Sequence, residues 1–456
     1  MMRMMFVLLA GLIATMTAAQ EAAPPAAALT FDEAAARLAA VSDALAAADA
    51  NVRGQQDLFD ATRSLRLPRV TLEARWLEFE KTLELPVGTL APVAAQFGIP
   101  SRLRFQERES RIRPLLTTVV PLYTGGQIPA ARSAAAAELD EAQAGRDAAA
   151  QSQTLLLVQS YFAQQLAAQV TSVRLDVRNG LEQHFRDAEK LEREGLATKA
   201  QRLQATVARD RAEREYQRAL STHDTASAAL ARLLRSDAPL ATCTQLFVIG
   251  EPLEPLEAFQ RSAAEQQPLL ARLRAVDEQA KQGVRAQQAE LRPQVFAFGT
   301  YDLRRSDALL SDSDWAFGLG VRYALVSGTD RARHVSAARE TEAQASLSRR
   351  EAENEVMIGV IRAWNDLDSA RRQFLLLDSS IEQTEESVRL QQLSFREGEA
   401  TSLDVIDAQL ARGGALVERA EAAYNYDVAL ARLLDVSGQI GRYPEYLAKA
   451  DKVIGP

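Results

Sequence analysis

The chain has 456 residues, of which 47% are hydrophobic and 6% aromatic, and its formal net charge is −8. That length is more than one compact core usually organises, and the acidic balance disfavours a nucleic-acid partner, since phosphate binding needs a basic face. A single cysteine, Cys243, excludes an intramolecular disulfide.

Residues 1–19 read as a secretory signal peptide. Arg3 gives a short positive start, residues 6–16 are an apolar run too short to span a bilayer, and Thr17-Ala18-Ala19 fits a small-residue cleavage site. No cysteine follows that could be acylated, and no later apolar run approaches the ~20 residues that a transmembrane helix needs. The mature chain is then either soluble or crosses a membrane as a β-barrel.

Residues 20–28 form a Pro/Ala linker. Thr30-x-x-Glu33 is a capping box, and Phe31, Ala34, Leu38, Val41 and Leu45 follow at helical spacing, predicting one helix over 31–64 that Pro68 ends. The period then changes to two. Val70, Leu72, Ala74 and Trp76 alternate with Thr71, Glu73 and Arg75, predicting a strand over 69–79. A long charged loop is predicted over 80–112, then a strand over 114–123 closed by Gly125-Gly126.

From Leu155 to Leu191 the apolar residues (among them Val158, Phe162, Leu166, Val177, Leu181 and Ala188) recur with a period of about 3.6. A helical hairpin is predicted over 129–234, its first helix roughly 100 Å long. Its tip is Arg193-Glu194-Gly195-Leu196-Ala197-Thr198, in which Gly supplies a left-handed helix end and Thr caps the return helix. Residues 236–255, with Pro239, Pro252 and Pro255, form a linker.

The same order then recurs: helix 256–291, strand 295–303, loop 304–314, strand 315–325 and a helical hairpin over 331–434. The second tip is Arg396-Glu397-Gly398-Glu399-Ala400-Thr401, and 438–456 is an irregular tail. In strand 315–325, Trp315, Phe317, Leu319, Val321 and Tyr323 share one face, and Ala316, Gly318, Gly320 and Arg322 the other. Gly125 and Gly328, Tyr161 and Trp364, and Gly195 and Gly398 each lie 203 positions apart. A common offset marks a duplicated unit, repeat 1 over 29–235 and repeat 2 over 256–437. Tyr161 and Trp364 read as packing residues at matching sites.

A hairpin with one apolar face cannot stand alone in a membrane, because its edges are unpaired. Four such strands do not close a barrel, but several chains together do. Trp76, Tyr123, Tyr301, Trp315 and Tyr323 lie near strand ends, where interfacial aromatics belong. The same pattern also fits a soluble hairpin on a coiled-coil protein.

Helix, β-hairpin and long helical hairpin, twice over, with Arg-Glu-Gly-x-Ala-Thr at both tips and Leu-Asp-Val-Ile-Asp-Ala-Gln after the second, resemble the TolC-like outer-membrane efflux protein family over about 29–437. The resemblance implies a mainly α fold with a β-barrel portion. Three chains would join four strands each into a 12-stranded outer-membrane barrel standing on a periplasmic α-helical tunnel. It implies an exit duct for efflux or type I secretion, served by an inner-membrane transporter and a periplasmic adaptor that docks at the two tips. It also matches Asp404 and Asp407 to the family's carboxylate constriction at the periplasmic entrance, with Gln201 at the first tip's counterpart of Asp404. By residue type alone, both aspartates could equally be ordinary helix N-terminal residues. The alternative is a soluble periplasmic coiled-coil or adaptor protein.

Other chemistry is sparse. His184, His223 and His334 are isolated, without metal-ligand spacing, and no phosphate-binding loop or nucleophile elbow occurs. No enzyme activity, cofactor or metal is expected.

Overall fold

The computed structural model describes residues 28–303, 314–326 and 328–455. The signal peptide expected over 1–19, nearly all of the 20–28 linker and most of the 304–314 loop lie outside them.

The chain opens with β1 (Ala28–Leu29) and the capping box: Glu33 N–H donates to Thr30 Oγ, and Glu33 Oε2 accepts from Thr30 N–H. The single helix expected over 31–64 is two helices, α1 (Phe31–Val41) and α2 (Asp43–Ala61). Ser42 between them is extended, with ψ 113°, and its hydroxyl caps Leu45. This small polar residue competes with the helix ladder for its own backbone.

The first β-hairpin is longer than its apolar alternation predicts. Strand β2 runs over Arg69–Pro86 and β3 over Arg102–Tyr123, with the short helix α3 (Ala91–Gln96) at the turn. Most of the loop expected over 80–112 is therefore strand. Charge alternates there in place of hydrophobicity: Arg104 pairs with Glu84 at 2.6 Å, Arg108 with Glu78 at 3.1 Å, and Gln106 donates to Glu80 across the strands. Val87 N–H donates to Ser101 O at 3.0 Å and closes the end of the ladder.

Helices α4 (Gln127–Arg193) and α5 (Lys199–Leu233) make the first long hairpin. Next come β4 (Ala241–Thr242) and β5 (Leu246–Val248), then α6 (Leu256–Gln266) and α7 (Pro268–Ala289). The helix expected over 256–291 breaks at Gln267, which is extended ahead of Pro268, as a residue before proline usually is. Strands β6 (Gln294–Asp302) and β7 (Trp315–Arg322) follow, then α8 (Arg331–Arg396), α9 (Ser402–Val436), α10 (Tyr443–Leu447) and β8 (Lys452–Ile454).

Strands β2, β3, β6 and β7 form one antiparallel sheet in that order, so β2 and β7 are its edges. The register aligns Leu72, Leu116, Tyr301 and Trp315 across all four strands. Their face also carries Val70, Trp76, Ile112, Phe317, Leu319 and Val321, all exposed. On the other face Phe296 lies over Gly320, where an added Cβ would stand 2.6 Å from its ring.

The largest core sits where both helical hairpins pass the two short sheets. Phe31 packs against Tyr161 at 5.6 Å and Tyr443 at 5.2 Å between ring centroids, and Phe162 against Phe247 at 6.0 Å. Tyr161 Oη donates to Leu29 O at 2.6 Å and accepts from Thr244 N–H at 2.9 Å. Trp364 Nε1–H donates to Glu254 O at 3.2 Å. The segments expected to be linker and irregular tail are built into this core. β4 pairs in parallel with β1, β5 pairs antiparallel with β8, and Tyr443 and Tyr446 are fully buried. Asp427 is buried there as well, accepting from Phe247 N–H at 3.4 Å, and burial pushes its carboxyl well above the usual carboxylate range.

Candidate functional site

Both long hairpins reverse by the same backbone device. Gly195 and Gly398 take φ of +77° and +78°, the left-handed region that favours glycine. Leu196 N–H donates to Leu191 O, and Glu399 N–H to Ser394 O, each at 2.8 Å, so the last carbonyls of α4 and α8 are satisfied. Thr198 then caps α5 and Thr401 caps α9 through reciprocal capping boxes. Arg193, Glu194, Gly195, Leu196 and Thr198 are exposed at the first tip, as are Arg396, Glu397, Gly398, Glu399 and Thr401 at the second; Ala197 and Ala400 are half-buried. Arg193 pairs with Glu189 at 2.8 Å, and Arg396 reaches Asp187 of α4 at 3.5 Å.

The two aspartates of the second tip have different surroundings. Asp404 is the third residue of the capping box. Its Oδ2 accepts from Thr401 N–H (2.8 Å) and Thr401 Oγ–H (2.7 Å), and those bonds, the hydroxyl's first, lower its pKa. Gln201 does the same work at the first tip, accepting from Thr198 N–H at 2.7 Å. Asp404 thus serves its own helix start while keeping its charge. Asp407 is exposed and lines an open groove of about 580 Å³ with Leu203, Val207, Arg211 and Leu410.

Behind the tips lies a junction that spacing in the sequence could not reveal. His184 of α4 is buried; its Nε2 is hydrogen-bonded to Ser402 Oγ at 2.8 Å, and its ring meets Phe395 edge-on at 4.8 Å. Ser402 Oγ–H donates to Gln201 O at 3.3 Å. One serine at the start of α9 thereby joins α4 to the start of α5. Ala188, Ala205, Phe395 and Val405 form the small apolar cluster beside it. Burial lowers the pKa of His184, with Asp187 opposing the shift. His184 and Ser402 stand 218 positions apart, and the only sequence signal was a histidine on the buried stripe of α4. Among the described residues no helix is long and apolar enough to cross a membrane, and no group of three His, Cys, Asp or Glu could hold a metal.

Residues 260–439 match the outer membrane efflux protein family. The match covers less than half of the chain, from within α6 to just past the end of α9. Solved channels share the fold over most of the chain. The outer membrane protein VceC of Vibrio cholerae is 17% identical, with a TM-score of 0.71 over 90% of this chain and 96% of that one. The CmeC outer membrane channel of Campylobacter jejuni is 14% identical, with a TM-score of 0.72 over 92% and 90%. The open state of the MtrE outer membrane channel of Neisseria gonorrhoeae is 17% identical, with a TM-score of 0.70 over 90% and 89%. No curated protein matches the sequence as a relative.

Proposed function

We propose that three copies of this chain form a non-enzymatic exit duct, each lending its four strands to one 12-stranded outer-membrane barrel. The observation that carries this reading is the sheet. Its apolar face is exposed from Val70 to Val321, and its edge strands β2 and β7 each pair on one side only among the described residues. In a bilayer such edges must be closed, and closure by further copies removes them all. The helical hairpins then stand in the periplasm as the tunnel, and the two halves of the chain are copies of one ancestral unit.

In this reading Arg193–Thr198 and Arg396–Thr401 meet a periplasmic adaptor, and an inner-membrane transporter delivers the cargo. Six carboxylates, Asp404 and Asp407 from each chain, ring the periplasmic aperture. Like charges brought together attract cations and repel one another.

The test is conductance of the purified protein in a planar bilayer, with and without the double change Asp404→Asn and Asp407→Asn. An asparagine amide oxygen at position 404 can still accept from Thr401 N–H, as the Gln201 amide oxygen does from Thr198 N–H, so the change removes charge and keeps the tip. The expected result is a small cation-selective conductance that rises severalfold in the variant. Equal conductance and equal block by divalent cations would remove the gate. Recovery as a soluble, unassembled protein without detergent would favour a periplasmic coiled-coil protein.

A further inference from the structure

Strand β2 changes character along its length. From Val70 to Trp76 its even positions carry Val70, Leu72, Ala74 and Trp76, on the exposed apolar face of the sheet. Beyond Trp76 the even positions carry Glu78, Glu80, Thr82 and Glu84, opposite Ser110, Arg108, Gln106 and Arg104. The apolar residues cross to the odd positions, where Leu83 stands opposite Phe105 and Leu85 opposite Leu103. That is the side which, lower in the sheet, carries Thr71, Glu73 and Arg75.

The switch falls where the sheet narrows. β6 stops pairing with β3 at Leu115↔Asp302, and β7 begins at Trp315. β2 and β3 run on to Pro86 and Arg102, and among the described residues no further strand is laddered to them there. This ribbon of roughly ten residues per strand extends about 30 Å. It rises from the end of the sheet opposite the helices, and its tip exposes Leu90, Val93, Phe97 and Ile99. A lone two-stranded ribbon is at best marginally stable in water, and exposed ion pairs such as Arg104–Glu84 contribute little, ~0–1 kcal/mol each. Its apolar side therefore needs a cover. Lipid does not fit, because the side continuous with the membrane-facing surface is the charged one.

We propose that the cover is the same ribbon of the other two copies. The three apolar sides, Leu83, Leu85, Leu103 and Phe105 of each chain, pack together over the barrel mouth, with Val93 and Phe97 meeting at the top. The inference rests on the trimeric duct proposed above, and it adds a second closure at the extracellular end, which cargo must part to leave. Strand β2 runs unbroken from the sheet into the ribbon, and its odd positions keep to one side throughout, so the apolar side of the ribbon continues the face of Thr71, Glu73 and Arg75 that the proposed barrel turns to its lumen, where the three copies converge.

The experiment uses the full chain with Cys243→Ser, which removes its only cysteine. Oxidation should link protomers covalently with Leu85→Cys or Val93→Cys and fail to do so with Thr82→Cys, which lies on the charged side. In a second variant, Asn-Gly replaces residues 79–109 between the register partners Glu78 and Ser110, and conductance should rise severalfold. A trimer that shows neither cross-links at 85 and 93 nor any gain in conductance overturns the cap. So does equal cross-linking at 82, or labelling of position 93 by a photoprobe confined to the lipid phase. Loss of the trimer itself, read by native mass, would count against the duct.

Discussion

The middle of the molecule and its tips are held by different means. The middle buries large aromatics, with Phe31, Tyr161, Phe162 and Tyr443 at 0–1% exposure, and it ties both short sheets to both hairpins. The tips are joined by two alanines, one valine, one phenylalanine and a histidine–serine hydrogen bond. Burial of large rings supplies far more free energy than contacts between alanines. The contrast points to a fixed girdle and a loosely held end, which is what the proposed gate at the tips requires.

The largest test breaks the girdle. Phe162→Ala removes a fully buried ring and should cost about 3–5 kcal/mol, read as a lower melting temperature with loss of assembly. A similar melting temperature would mean that the core lies elsewhere. A smaller effect is expected between the two regions, where α4 and α9 touch. Gly413 packs on Val177, so Gly413→Val should cost about 1–3 kcal/mol by overpacking. It should also raise hydrogen exchange toward the tips while leaving exchange near Phe162 unchanged.

The mildest test uses pH, and the two regions should respond in opposite senses. Asp427 has its pKa raised by burial, so the folded chain holds a proton that the unfolded chain has lost. Its contribution is complete below the unfolded value, ~3.9, and falls as pH rises towards the folded value. His184 has its pKa lowered by burial. Its contribution is complete above the unfolded value, ~6.5, and falls as pH drops towards the folded value. Mild acid should thus lower hydrogen-exchange protection, taken against the intrinsic rate at each pH, at residues 184–196 and 395–405 and raise it near Phe247. His184→Gln should flatten that response. An identical response in the variant would place the acid-sensitive group elsewhere.

Much of this was legible in the sequence, for physical reasons that differ by element. The starts of α8 and α9 follow from Asp330 and Thr401, because a capping side chain acts within three residues. The four strands show wherever lipid-type faces alternate with small or polar ones. The ribbon beyond Trp76 was hidden because its pairing uses glutamate against arginine, which reads as loop until the register is known. The breaks at Ser42 and Gln267 each turn on one extended residue within a helical pattern. The burial of Tyr443 depends on Phe31 of α1 and Phe247 of β5, far away along the chain. At the tips, the sequence marks Asp404 and Asp407 as acidic and on one face, but it cannot divide their labour. The capping bond to Thr401 does so.

The pairing of β1 with β4 and of β5 with β8 also sets an order of events during synthesis. Residues 241–248 hold Ala28–Leu29 on one side and Lys452–Ile454 on the other. The girdle cannot close until residue 454 has been made, although Phe31 waits from the beginning. Each helical hairpin can form early from local contacts, but the core that fixes them has to wait for contacts between distant parts of the chain. A growing chain that lacks its core remains extensible for most of its synthesis, which would suit the proposed duct, since such a polypeptide is threaded through one membrane before it settles in another.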